Sequence, residues 1–188
     1  MRDVDHPPVT AVAPAWIRRL ETSTGADAPR VAEALLVDYP VEIGLQRQEW
    51  RHGLLREFQL ITYGNHEDPE HLRVPLRLLA LADEMTLRYG RLIEEHTAEL
   101  ERALAAGAAR AILRYPLLPG VRALEIQFAK VMEESDAYCR EQTLMTLAPS
   151  AETYSLRRWV IEEVVRQYDG EPPRAWPEFL AECERDPL

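Results

Sequence analysis

Lysine and cysteine are almost missing from this 188-residue chain. Lys130 is the only lysine among 22 basic residues, and 32 acidic residues bring the formal net charge to −10. A surface with this excess of acid is poorly suited to nucleic-acid phosphates or anionic lipids, so we expect neither nucleic acid nor membrane as a partner. The two cysteines, Cys139 and Cys183, match neither a disulfide framework nor a zinc motif.

Long apolar segments are missing too. No apolar run approaches the roughly 18 residues of a membrane span, and the first residues contain no apolar core of a signal peptide. What is present is 46% hydrophobic and 29% charged residues, enough for both a core and a charged surface. We therefore expect one soluble domain of a cytoplasmic protein.

The pattern of apolar residues is helical. Their spacing, bounded by proline or glycine, predicts an all-α fold with a single bundle of five or six helices. The predicted helices cover about residues 29–39, 42–63, 75–90, 91–106, 119–140 and 149–170. The segment 109–116 has weak strand character but is followed by Pro119, and we interpret it as a short extended connector.

Both ends of the chain are rich in proline and in small or polar residues. Residues 1–28 are predicted to be a flexible N-terminal tail, and residues 171–188, with four prolines, an irregular C-terminal strap. The helical domain is then 29–170. Within the tail, the amphipathic segment 16–20 is expected to dock on this domain, with docking on a partner as the less favoured alternative.

Residue chemistry offers little for catalysis. Glu49-x-x-His52 has metal-ligand spacing, but a di-metal bundle site needs a second such motif, which the sequence lacks. His52 and His96 are interpreted as surface or boundary histidines. Cys139 falls on an apolar helix face and is expected to be inert, whereas the glutamates flanking Cys183 raise the pKa of its thiol. We expect no metal, no cofactor and no catalytic residue.

Two charged clusters have features of recognition surfaces. The first combines guanidinium and indole groups of the kind enriched at interfaces: Arg157, Arg158 and Trp159. The second places acid near a helix C-terminus, where it is locally unfavourable: Glu133, Glu134 and Asp136. The structural alternative puts the tryptophan in the core and the charged side chains on a solvated face.

Short motifs between residues 32 and 177 carry a family resemblance. They are Leu36–Val41, Gln48–Glu49, Leu55–Phe58, Val74–Tyr89, Glu134–Arg140, Arg157–Trp159 and Trp176–Pro177. In these motifs the chain resembles a group of small actinomycete proteins without an assigned activity, which accompany anti-sigma-factor kinase, antagonist and phosphatase modules of bacterial stress signalling. The resemblance implies a regulatory, partner-binding role and supplies no catalytic residue.

Three functions follow from these observations. The leading hypothesis is a regulatory module that binds another protein, such as an anti-sigma-type kinase or its antagonist, through the two charged clusters. The alternative is a small-molecule sensor or enzyme with an inter-helix pocket lined by Trp50, Tyr115 and Tyr138. One enclosed polar cavity with convergent arginine or glutamate side chains would favour that alternative, and a featureless packed core would contradict it. A homo-oligomeric structural subunit is the third possibility.

Overall fold

A computed structural model describes residues 13–23, 25, 28–64 and 76–185. The predicted helical domain is confirmed: these residues form six helices and one two-stranded antiparallel sheet. In chain order the elements are α1 Ala15–Thr22, β1 Glu33–Pro40, α2 Val41–Gly64, α3 Leu76–Ala105, β2 Arg110–Pro116, α4 Val121–Arg140, α5 Ala151–Tyr168 and α6 Trp176–Arg185. No helix among the described residues is long and apolar enough to cross a membrane.

The predicted helix over residues 29–39 is wrong. Most of it is β1, which pairs antiparallel with β2, so that Leu36 lies opposite Leu113. Ala34 and Leu36 are buried while the residues between and after them are more exposed, which is the two-residue period of a strand. The segment 109–116 is extended as predicted, but it is a strand partner and not a free connector.

A β-bulge changes the direction of β1 near its end. After the pair Leu36–Leu113 the next pair is Tyr39–Ala111, so two residues of β1 face a single residue of β2. Asp38, inside the bulge, has φ 57°, a left-handed conformation that Asp tolerates better than most residues. The extra residue moves the inward position from 38 to 39, and the Tyr39 ring is buried in the core.

Helix α3 is continuous, which corrects the prediction of two helices meeting at Gly90. A C-terminal glycine cap requires positive φ, and among the described glycines only Gly107, Gly120 and Gly170 have it. Gly90 lies inside α3, whose chain turns away only at Gly107. Asp68 and Pro69, whose sequence is typical of a helix cap and a first-turn proline, lie outside the described residues.

Both predicted irregular ends contain a docked helix. Trp16 and Ile17 of α1 are buried in a cluster with Ile161 of α5, as the favoured docking prediction required. Arg122 of α4 donates hydrogen bonds to the Leu20 carbonyl and to Ser23, which fixes the end of α1. The N-terminal segment is therefore not a free tail over residues 13–23.

The C-terminal helix α6 closes the main core. Trp159 of α5 is fully buried, with its ring centroid 5.5 Å from that of Trp176 and 6.0 Å from that of Tyr39. The Trp159 indole donates a hydrogen bond to the Arg174 carbonyl, 3.1 Å away. Burying an indole N–H without a hydrogen-bond partner is costly, so this bond stabilises the packing of the predicted strap against α5.

Candidate functional site

A cavity of about 80 Å³ lies at the centre of the helical domain. Helices α2, α3 and α4 supply most of its wall, and β1, β2 and α5 complete it. Much of the wall is apolar, formed by Leu36, Leu54, Leu55, Phe58, Leu92, Ile93, Phe128, Val131, Met132 and Val160. We call this space the central cavity.

One part of the wall is polar, and its polar groups lack partners. The buried side-chain atoms without a hydrogen-bond partner are Tyr39 Oη, Gln48 Oε1 and the Nε and Nη2 atoms of Arg51, and the described part of the chain has no others. All three residues line the central cavity. Tyr39 is 1% exposed and Gln48 4% exposed, so bulk water does not satisfy them. Buried polar groups are normally paired, and this concentration of exceptions makes the polar part of the wall the candidate site.

The local sequence explains how these groups meet. Arg47, Gln48 and Arg51 lie within about one turn of α2, on the helix face that continues to Leu54 and Phe58. Tyr39 comes from the bulge of β1, and a Cβ atom at Gly44 would lie only 2.4 Å from its ring. Gly44 therefore lets α2 approach the Tyr39 ring closely.

The electrostatic balance of this wall is positive. Burial, with a smaller effect from the neighbouring Arg47 charge, lowers the pKa of Arg51 to about 9. Across the cavity the Tyr115 hydroxyl donates a hydrogen bond to Glu125 Oε1, 2.6 Å away, and burial raises the pKa of Glu125. Glu125 is 3% exposed and is the one acidic residue of the described wall, so the two arginines, Arg47 and Arg51, outnumber it.

His96 occupies the cavity wall as a neutral group. Its Nε2 atom lies 2.8 Å from the carbonyl oxygen of Arg114, so this nitrogen donates the hydrogen bond. Burial is the largest effect on the His96 pKa and lowers it. The imidazole therefore adds little to the charge of the cavity at neutral pH, and the two arginines dominate.

The predicted pocket residues are placed differently from one another. Tyr115 lines the central cavity, whereas Trp50 and Tyr138 are not part of its wall. The Trp50 indole donates a hydrogen bond to the Leu147 carbonyl, 2.8 Å away, and Tyr138 packs in the core cluster that contains Leu54. For these two residues the pocket prediction is corrected, because Trp50 contacts the α4–α5 loop and Tyr138 packs against Leu54 and its neighbours in the core.

Sequence reasoning missed the arginines of the cavity. Arg51 lies three residues before Leu54 and seven before Phe58, a spacing that places the three side chains on one face of a helix. A charged residue on an apolar helix stripe is a detectable signal of a buried polar site. Tyr39 and Glu125 carried no comparable signal, because the bulge and the Tyr115 contact depend on the tertiary structure.

The two predicted partner-binding clusters bind each other. Arg157 is 3% exposed and donates hydrogen bonds to the Asp136 carboxylate, itself fully buried, and to Glu133. Its guanidinium carbon lies 5.0 Å from the Tyr154 ring centroid. Arg157 and Asp136 are therefore an internal ion pair between α4 and α5, and their burial does not fit the predicted partner surface.

The remaining predicted contact residues have little free surface. Trp159 is fully buried, and Glu133 and Glu134 are only partly exposed. Arg158 forms an ion pair with Glu162 at 2.7 Å and packs over the Phe179 ring. The alternative interpretation, in which the tryptophan is a core residue, fits Trp159, because its indole is buried in the main core.

The cysteines have the properties that the sequence predicted. Cys139 is buried, and burial raises the pKa of its thiol to about 11. The pKa of Cys183 is also raised, by burial first and by Glu162 and Glu182 in part. Both thiols are therefore poor nucleophiles at neutral pH.

Comparisons with known proteins add no further site. No protein-family model, no curated protein and no solved structure matches this chain. Within the described ranges, no group of three or more histidine, cysteine or acidic side chains is arranged to hold a metal ion. The structure defines a helical domain with a largely apolar cavity, one part of whose wall carries unpartnered polar groups.

Proposed function

We propose that this protein is a helical sensor that binds a small molecule in the central cavity. The observation that carries the proposal is the convergence of four unpartnered buried polar atoms on one cavity. Leaving a buried polar group unpaired costs about 1–3 kcal/mol, so the free protein is destabilised by this arrangement. A ligand that pairs with these atoms recovers that free energy on binding.

Binding is favoured over catalysis by the groups in the wall. The Ser135 hydroxyl donates a hydrogen bond to the Val131 carbonyl, 2.9 Å away, and is not activated by a neighbouring base. Glu125, the acidic residue of the described wall, is held by Tyr115. Ser135 is therefore not arranged as a nucleophile. The unpartnered groups of the wall, those of Tyr39, Gln48 and Arg51, are of the kind that bind and orient a ligand.

The cavity volume limits the ligand to a few atoms. An apolar cavity of about 150 Å³ holds benzene, so a cavity of about 80 Å³ fits a molecule of roughly three to six heavy atoms. The best small ligands gain about 1.5 kcal/mol per heavy atom, which sets the Kd of a five-atom ligand at micromolar or weaker. Screening therefore needs millimolar probes.

Methyl NMR spectra test this proposal directly. The probes are propionate, glycolate, propionamide, 1-propanol and propylamine, and the reporters are the methyl groups of Val131 and Met132 in the wall. We expect at least one probe to shift these signals saturably while the exposed Met145 methyl stays unchanged. If no probe does so, the proposed function is wrong.

A matched pair of variants localises the binding. Ser135→Leu fills the cavity, whereas Ser135→Ala removes the same hydroxyl without adding volume. We expect binding to be lost in Ser135→Leu and kept in Ser135→Ala. Retained binding in a folded Ser135→Leu protein would place the ligand elsewhere.

A second candidate function, binding of a regulatory protein partner, is favoured by the α4–α5 loop. Met145 and Leu147 are 80% and 79% exposed, yet the loop between them is held in place. The Glu57 carboxylate accepts hydrogen bonds from the backbone N–H groups of Met145 and Thr146. A fixed loop that presents two apolar side chains is suited to a protein contact.

The test of this candidate uses purified proteins. An anti-sigma-type kinase and its antagonist from the same source are titrated against the full chain in a calorimeter. The candidate predicts binding that Met145→Asp weakens at least tenfold, while Arg140→Gln, an exposed change nearby, leaves it unaltered. Absence of binding to both proteins would exclude this form of the hypothesis.

A further inference from the structure

We infer that the ligand of the central cavity is a small hydroxycarboxylate, an anion that carries one hydroxyl donor beside its carboxylate. This inference rests on the proposed function and names the chemical class of its ligand. It depends on which atoms lack partners, on their charges and on the volume between them.

The carboxylate is indicated by the guanidinium of Arg51. Its two unpartnered atoms, Nε and Nη2, lie on the same edge of the planar group and carry parallel N–H bonds. This edge has the spacing of two carboxylate oxygens, which it binds in a bidentate pair. A single neutral acceptor would leave one of the two N–H groups unpaired.

The charge of the wall favours an anion over a neutral isostere. Arg47 lies one turn before Arg51 and also lines the cavity. Among the described wall residues the one carboxyl group is that of Glu125, whose Oε1 atom accepts the Tyr115 hydroxyl. A bound anion therefore meets two guanidinium groups against a single carboxyl group.

The hydroxyl of the ligand is indicated by Gln48. Its unpartnered atom, Oε1, is an acceptor, and it needs a donor that a plain carboxylate does not have. The Tyr39 hydroxyl, which is also unpartnered, can donate to a carboxylate oxygen. One molecule with a carboxylate and a hydroxyl pairs all four atoms.

Three probes of five heavy atoms separate the contributions of charge and hydroxyl. Glycolate has both groups, propionate replaces the hydroxyl with a methyl group, and glycolamide replaces the carboxylate with a neutral amide. We expect calorimetry to give glycolate a Kd at least tenfold lower than either of the other two, since each lost hydrogen bond to a buried group is worth about one factor of ten.

Two variants assign the preferences to residues. Gln48→Met should abolish the preference for glycolate over propionate, because the hydroxyl loses its acceptor. Arg51→Lys keeps a positive charge but not the planar fork, and should weaken glycolate and propionate at least tenfold while leaving glycolamide within about threefold. Gln59→Met, an exposed change on the same helix, is the matched control and should leave all three Kd values unchanged.

The outcomes keep this inference separate from the proposed function. If glycolamide or propionate binds as tightly as glycolate, the hydroxycarboxylate assignment is overturned while binding in the cavity stands. If none of the probes in either panel shifts the cavity methyl signals, the proposed function itself fails. Thermal unfolding of each variant confirms that loss of binding is not loss of folding.

Discussion

Replacing Tyr39 with phenylalanine should stabilise the free protein and weaken ligand binding. The change removes one buried oxygen that has no hydrogen-bond partner and keeps the ring that packs 6.0 Å from Trp159. An unpaired buried hydroxyl costs about 1–3 kcal/mol, so its removal should raise the free energy of unfolding by about 1 kcal/mol. For a chain of this length that corresponds to an increase in Tm of about 2–4 °C.

The same substitution at Tyr115 provides the matched control. Its hydroxyl donates to Glu125 at 2.6 Å, and removing it leaves a buried carboxyl group without this partner. We expect Tyr115→Phe to lower the free energy of unfolding by about 2 kcal/mol, opposite in sign to Tyr39→Phe.

Urea unfolding at pH 7 measures both changes, and calorimetry measures glycolate binding. Tyr39→Phe should raise the urea midpoint and raise the Kd for glycolate about tenfold. A loss of stability of 1 kcal/mol or more in Tyr39→Phe would show that the hydroxyl already has a partner in the free protein. That result would refute the central reasoning about the cavity.

Three further predictions concern other parts of the structure. Burial raises the pKa of the Glu125 carboxyl group, so the folded protein keeps this proton to higher pH than the unfolded chain does. The stability that this group contributes is full below its unfolded pKa and is lost as pH rises through the folded pKa. The Tm advantage of Glu125→Gln should therefore grow between pH 4.5 and 7.5, and a constant difference would contradict it. Arg157→Ala should lower the free energy of unfolding by about 3–5 kcal/mol, because it leaves Asp136 buried and unpaired. Arg158→Ala, which breaks the ion pair with Glu162, should lower it by only about 1 kcal/mol. Equal losses of the two variants in urea unfolding would be inconsistent with the internal ion pair. Trp16→Ala should release α1 and speed tryptic cleavage within it at least tenfold, and an unchanged rate would mean that the helix is held by other contacts.

The helices were predictable because their signals are local. In α4 and α5 the apolar residues recur on one face and the ends carry turn or capping residues, such as the Ser150 hydroxyl that accepts from the Thr153 N–H. Gly90 misled the prediction because glycine ends a helix only where positive φ is needed, and the interior of α3 tolerates it.

The strand β1 was missed because its apolar residues fit both the spacing of a helix and the two-residue alternation of a strand. Val31, Ala34 and Leu35 fit a helix, whereas Ala34 and Leu36 fit a strand. Pairing with β2, which lies far along the chain, decides between them, since backbone hydrogen bonds to a distant segment leave no local signal.

The residues of the candidate site also divide into those with a local sequence signal and those placed by long-range contacts. Arg51 shares a helix face with Leu54 and Phe58, and Tyr115 was named as a pocket residue from the sequence. Tyr39 reaches the cavity through a bulge, and Glu125 becomes the hydrogen-bond partner of Tyr115 only through the packing of α4 against β2. The Arg157–Asp136 pair was predicted as two separate surfaces because the sequence does not show which helices face each other.

The sequence by itself determined the helical class and the position of most helices, because amphipathic period and capping act within a few residues. Only the tertiary structure decided which charges are paired and which are left unpaired around the cavity. Pairing depends on distances of about 3 Å between side chains from different elements, and burial then sets the cost of each unpaired group. The function proposed for this protein depends on that second kind of information.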